Sequence, residues 1–211
     1  MKYRRALAAA AILIVALIVV NALLSKPIGS MGIALGRRVP PFAVPLALAQ
    51  LKGDANVAKH ANDGEAGKRP ACSVRGPEIL NICQLYEHRP VVLALFLDAG
   101  SCAGILEDFQ ALAPAFPGVA FAAVAIKGDR SHLRTLIRDE HLGFPVGYDE
   151  DGALTPLYEM ASCPQVTFAY PGGIVQRPAL LRRPSRAALR AAVGRLLAAS
   201  HARGARANPA S

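Results

Sequence analysis

Between Val91 and Tyr170 short apolar runs alternate with polar, turn-rich breaks, and the spacing predicts a succession of strands and helices. Val91 to Leu97 is a continuous apolar run, which suits a strand buried on both faces. Cys102 to Ala113 carries a helical period, and Val119 to Ile126, "VAFAAVAI", predicts a second buried strand. Gly128 and Asp129 turn the chain, Ser131 is a candidate N-cap, and His132 to His141 continues as helix. "FPVGYDEDGAL" predicts a short strand and an acidic turn, followed by a short helix from Leu154 to Met160. Gln165 to Tyr170 predicts a strand, Pro171 to Gly173 a tight turn, and Ile174 to Ala179 its antiparallel partner. An arginine-rich helix, "SRAALRAAVGRLLAA", follows. This order argues for a mixed α/β sheet covered by helices on both faces.

The segments before this block differ in kind. Ala6 to Leu24 is apolar and uncharged, and as a helix it would span about 28 Å at about 1.5 Å per residue. Lys2, Arg4 and Arg5 precede it, and Ser25, Lys26 and Pro27 follow without a small-residue processing site. A cleaved secretory signal normally has a shorter apolar core, of about 7–15 residues, so the pattern favours an uncleaved signal anchor. The basic head predicts a cytoplasmic N-terminus and an extracytoplasmic remainder, although Lys26, Arg37 and Arg38 beyond the span weaken that orientation signal. Four regions follow: a head and transmembrane anchor over 1–25, a tether over 26–40, a folded domain over 41–199, and a disordered tail over 200–211. Phe42 to Ala49 offers a first short strand, and Leu51 to Arg69 is a polar excursion rich in Gly, Asn and Asp.

The chain of 211 residues has a net charge of +9, and its distribution decides what that means. No acidic residue follows Glu159, whereas arginines recur to Arg206. Arg186, Arg190 and Arg195 fall near one face of the last helix, opposite Leu189, Val193, Leu196 and Leu197. That is the pattern of a solvated helix face, with attraction to anionic lipid as its functional alternative. No aromatic stacking motif interleaves with the charges, which argues against nucleic acid.

The candidate chemistry lies in the cysteines. Cys102 follows a buried strand at a predicted helix start, where unpaired N–H groups and the helix dipole favour a thiolate; Asp98 would oppose this if it pointed inward. A buried, inert cysteine is the other reading of such a position. The four cysteines form an even set that suits two bridges in an oxidising compartment.

With "VVLALFLDAGSC", "FAAVAIKGD", "FPVGYDEDGAL" and "CPQVTFAYPGG", the stretch from Arg38 to Ala199 resembles membrane-anchored, extracytoplasmic thioredoxin-like proteins of the TlpA/ResA type in the redoxin superfamily. The resemblance implies a thioredoxin-like mixed sheet flanked by helices, and a cis-proline facing the nucleophilic cysteine. Pro164 matches that proline. The family's redox motif ends in a second cysteine three residues after the first, and Ile105 stands there instead; Ser101 replaces the usual aromatic residue. Cys163, just before Pro164, is therefore the expected partner of Cys102. Cys72 and Cys83, outside the expected site, are the expected structural bridge. The implied activity is thiol–disulfide exchange with extracytoplasmic protein thiols or disulfides, with Cys102 attacking and Cys163 resolving, and without a cofactor. The alternatives are a non-catalytic binding module stapled by Cys102–Cys163, and a thiol peroxidase. Ala99 disfavours the peroxidase, because peroxiredoxins carry Thr or Ser three residues before their cysteine. A copper or zinc site is disfavoured because His60, His88, His132, His141 and His201 are scattered and none flanks Cys102.

Overall fold

The computed structural model describes residues 14–15, 32–58 and 68–207. The chain divides into two compact units, Met1–Ser30 and Met31–Ser211. Apart from Ile14 and Val15, which are helical, the expected anchor lies outside the described residues. No helix of the described residues is long and apolar enough to cross a membrane.

The second unit is built on a five-stranded sheet. Its strands are β3 (Val91–Phe96), β4 (Ala120–Ile126), β5 (Val146–Asp149), β6 (Gln165–Ala169) and β7 (Val175–Leu181), in the spatial order β5-β4-β3-β6-β7. β3, β4 and β5 run parallel, while β6 and β7 are antiparallel to their neighbours. A smaller antiparallel pair, β1 (Ala43–Pro45) and β2 (Ile79–Asn81), lies on one face.

β3 is buried along its whole length because its two sets of alternating side chains enter two different cores. Val92, Ala94 and Phe96 face helices α2 (Ile105–Leu112), α3 (Arg130–Asp139) and α5 (Arg186–Ala207). Val91, Leu93 and Leu95 face the β1–β2 pair, α1 (Ile82–Tyr86) and α4 (Leu154–Leu157). α2 and α3 share a face because successive right-handed crossovers step the same way, from β3 to β4 to β5. The β1–β2 pair comes so close to β5 that a Cβ on Gly147 would collide with Val44 Cγ2 and lie 2.9 Å from Leu80 Cδ2. Only glycine leaves that space.

Several boundaries differ from the sequence reading. The strand expected over Phe42–Ala49 is three residues long, Ala43–Pro45, and β2 and α1 carry too few residues to show a period. Asp129, not Ser131, caps α3: its carboxylate accepts the Ser131 N–H at 2.7 Å. The expected tether is in part docked, since Val39 N–H donates to Gly173 O at 2.8 Å and Gly32 N–H to Glu159 O at 3.1 Å. The expected tail is helical as far as Ala207. The arginines of α5 lie on an exposed face, as their spacing predicts, and three of them also make contacts there. Arg186 bonds Asp108, Arg190 lies 5.6 Å above the Phe116 ring, and Arg203 lies 4.4 Å above Tyr170.

Asp108 links the first turn of α2 to the segment leading into α5. Its buried carboxylate accepts from Arg183 Nε at 2.9 Å and Arg186 Nε at 3.0 Å. Charge-assisted bonds of this kind contribute about 1.5–3 kcal/mol each, reduced here by the exposure of both arginines. Asp108→Ala is expected to lower stability by about 2 kcal/mol, read from the urea midpoint at unchanged slope.

Candidate active site

β3 ends at Phe96, and the chain leaves the sheet through Leu97, Asp98 and Ala99 before turning at Gly100, whose φ of +53° lies in the left-handed region. Gly100–Cys102 forms one turn of 3-10 helix, closed by Cys102 N–H donating to Ala99 O at 3.3 Å. α2 begins only at Ile105, so Cys102 stands three residues ahead of the helix that the sequence reading started at it. Ile105, in the place of the missing second cysteine, is fully buried in the core and packs rather than reacts.

β6 begins at the same end of the sheet. Cys163 and Pro164 enter it through a cis peptide bond, and Cys163 is bonded to Cys102 with their Cα atoms 5.4 Å apart. Neighbouring side chains fix this entry. Buried Gln165 folds back, its Nε2 donating to Tyr158 O at 2.9 Å and its Oε1 accepting from Ala161 N–H at 3.3 Å. Ser162 Oγ accepts from Arg182 N–H at 3.1 Å. Tyr158 OH, buried, donates to Pro40 O at 2.8 Å, and burial pushes its pKa well up. Cys163 leans on the core, while Gly100 and Ser101 beside Cys102 are exposed. The Leu97 N–H donates to Cys163 Sγ at 3.1 Å, and the Leu97 side chain is exposed next to the bridge.

The charges around the bridge have both signs. Arg183 donates to Glu107 at 3.2 Å as well as to Asp108, at the start of α2. A groove of about 270 Å³ runs between this arginine and the Cys102 turn, lined also by Ala103, Leu106, Leu136 and Glu140. The Asp98 carboxylate does point inward, with 3% of the side chain exposed, and bonds His132 Nδ1 at 2.8 Å. That bond, and secondarily the negative charge, raises the His132 pKa above 6.5. Sequence reasoning took His132 as one scattered histidine, because nothing in a 34-residue separation signals the contact.

The other two cysteines are apart from this site. Cys72 and Cys83 are bonded across 11 residues, between the end of the excursion and α1. Arg75 braces that loop, donating to Cys72 O at 3.1 Å and pairing with Glu87. Among the described residues one acidic trio, Asp54, Asp149 and Asp151, brings its carboxylates within 4.8 Å of one another. Backbone N–H groups already occupy it: Asp54 accepts from Glu150 at 3.0 Å and Asp151 at 3.1 Å, and Asp149 accepts from Leu154 at 2.9 Å. It fastens the excursion to the β5 turn.

Comparison with solved structures decides the fold. A protein assigned as the thiol:disulfide interchange protein DsbE from Chlorobium tepidum superposes with a TM-score of 0.58 at 14% identity, over 80% of this chain and 98% of its own. The fold is thioredoxin-like. A protein assigned as a disulfide isomerase from Bacteroides thetaiotaomicron gives 0.56 at 13% identity, over 83% of this chain and 98% of its own. A hypothetical protein from Sinorhizobium meliloti gives 0.56 at 15% identity, over 79% and 86%. No family model and no curated protein matches the sequence. On this thioredoxin-like frame the Cys102 turn lies at the C-terminal end of a central parallel strand, the end where open α/β sheets gather their ligands.

Proposed function

We propose that the protein is a membrane-anchored, extracytoplasmic thiol–disulfide oxidoreductase whose redox pair is Cys102 and Cys163. The observation that carries this reading is the bridge itself, which joins an exposed turn after β3 to the residue before the cis-proline of β6. The neighbours assigned as an interchange protein and a disulfide isomerase add support through shared architecture.

In the oxidising direction a partner's thiolate attacks Cys102 Sγ, which follows the exposed residues Gly100 and Ser101. The Cys102–Cys163 bond breaks, and its electron pair leaves on Cys163 as a thiolate facing the Leu97 N–H. The partner is now held in a mixed disulfide with Cys102. A second partner thiolate attacks the partner's own sulfur and displaces Cys102 as thiolate. The partner's dithiol has become a disulfide, and the protein's disulfide has become two thiols. The same steps reversed reduce a partner, with Cys102 attacking and Cys163 resolving. Exposed Leu97 and the groove beside Arg183 provide a surface for the partner's polypeptide. Ala6 to Leu24 would hold the domain at the membrane, uncleaved, in a compartment where disulfides persist.

Redox titration of the full-length protein, with each bridge followed by alkylation and peptide mapping, tests this reading. Selective, reversible opening of Cys102–Cys163 supports it. A bridge that resists mild dithiols leaves a stapled binding module.

A further inference from the structure

The groove beside the Cys102 turn holds one charge that the protein leaves unpaired. Gly100, Ser101, Ala103 and Gly104 line it on either side of Cys102 in sequence, with the first turn of α2 and the last turn of α3 opposite. Leu106, buried, and Leu136, half-buried, give it an apolar lining. Its charged residues are Glu107, Glu140 and Arg183. Arg183 is fixed in place: a Cβ on Gly104 would collide with its guanidinium, which donates to Glu107 at 3.2 Å and Asp108 at 2.9 Å. The Glu140 side chain is exposed and has no hydrogen-bond or ion-pair partner among the described residues. Glu140 is also the C-cap residue of α3, where the helix dipole favours a cation. The positive end of α2, by contrast, is already answered by Glu107 and Asp108 in its first turn. At about 270 Å³ the groove is smaller than small-molecule sites, which run to roughly 300–1,000 Å³, and it suits side chains of a polypeptide.

We propose that this groove selects a basic side chain, Lys or Arg, two residues from the reacting cysteine of the partner, with Glu140 as the specificity-determining residue. This rests on the redox reading of Cys102. In an extended segment side chains two residues apart face the same way and stand roughly 6.6 Å apart. A partner cysteine brought to Cys102 therefore turns the residue two places away toward the same surface, where the groove begins. The apolar stem of that residue covers Leu136, and its charge meets Glu140 one helical turn along the same face of α3. The chain as a whole carries a net charge of +9 and repels such a residue elsewhere. Screening acts over about 8 Å at physiological ionic strength, so the unpaired carboxylate in the groove outweighs the distant arginines.

Short peptides with one cysteine, activated as a pyridyl disulfide and carrying Lys, Gln or Glu two places before or after it, are the probe. Cys102 of full-length Cys163→Ser attacks the peptide sulfur and pyridine-2-thione leaves, so its absorbance reads the rate. In one of the two placements Lys should react about three- to fivefold faster than Gln, an exposed ion pair at the upper end of its range, and Glu slower. Adding Glu140→Gln should abolish that ratio, and Glu140→Lys should reverse it. Adding Asp139→Asn, which removes the same charge one residue outside the groove, should leave the ratio unchanged. Comparing ratios between variants cancels the effect of each peptide on its own reactivity. A ratio near one in both placements, or one that Glu140→Gln leaves intact or Asp139→Asn removes equally, overturns the role of the groove. The same peptides with serine in place of cysteine are titrated against the oxidised full-length protein by fluorescence anisotropy. They should show the same order of affinity and the same dependence on Glu140, and a flat series overturns the proposal as well. That titration needs no exchange, so it can fail while the redox titration of the bridge succeeds, and the reverse.

Discussion

Cys163→Ser is expected to accumulate a mixed disulfide on Cys102 with its partner, and Cys102→Ser is expected to accumulate none. Both cysteines are half-buried, but Cys102 follows the exposed residues Gly100 and Ser101, whereas Cys163 packs against the core. Once Cys163 is serine, no thiol remains within the site to attack the mixed bond. Ile105, at the position where a second motif cysteine would stand, is fully buried. Resolution then depends on an external thiol, which lacks the advantage of a pre-positioned intramolecular one. Turnover should fall on the order of 100-fold or more. Non-reducing gels of the full-length variants, with the trapped sulfur mapped, check the result. Equal trapping by both variants would remove the division of roles.

The second large effect concerns stability against pH. Asp149 ends β5 with its carboxylate buried, accepting from Leu154 N–H at 2.9 Å and from Gly152 and Ala153 N–H at 3.2 Å. Burial pushes its pKa up to about 6, with Asp151 beside it adding to the rise. An unfolded aspartate titrates at about 3.9, so between those values the folded protein binds the additional proton. The contribution to stability is therefore fully present below about pH 4 and is lost as pH rises through 6. A shift of about two units corresponds to about 2–3 kcal/mol. Glu87 and Asp129, whose pKa values are lowered by Arg75 and Ser131, slope the other way, so the difference between wild type and Asp149→Asn isolates the effect. The substituted carboxamide keeps an oxygen for two N–H groups and abandons the third. The variant should be the less stable protein at pH 4 and should gain about 2–3 kcal/mol on wild type by pH 7, in paired urea titrations. A difference that does not vary with pH would show that Asp149 is not the titrating group.

The strands were the legible part of the sequence. β3 and β4 are unbroken apolar runs, and being central in a sheet covered on both sides is what buries both their faces. β2, at three residues, is held by its pairing with β1 and carries no periodic signal of its own. The start of α2 was misplaced because the chain inserts a 3-10 turn at Gly100–Cys102, which helical spacing does not separate from a first α turn. The cysteine pairing came from the likeness of "CPQVTFAYPGG" to a fold, not from any local pattern. What surrounds the bridge was illegible for a different reason. Asp98 with His132, Gln165 with Tyr158, and Asp108 with Arg183 are side-chain contacts made by tertiary folding across separations of up to 75 residues. The arginines of α5 are exposed as their period predicts, but the period gives no hint of the Phe116 and Tyr170 rings that Arg190 and Arg203 cover.

A working redox pair at Cys102–Cys163 and a staple at Cys72–Cys83 differ in how readily they are reduced. Equilibration of the full-length protein in buffers of graded potential, with rapid alkylation and mass mapping of both bridges, tests that difference most directly. Cys102–Cys163 is expected to open in one reversible two-electron transition, at a potential above about −300 mV, while Cys72–Cys83 stays closed. Both bridges opening together, only below that potential, would contradict the redox assignment.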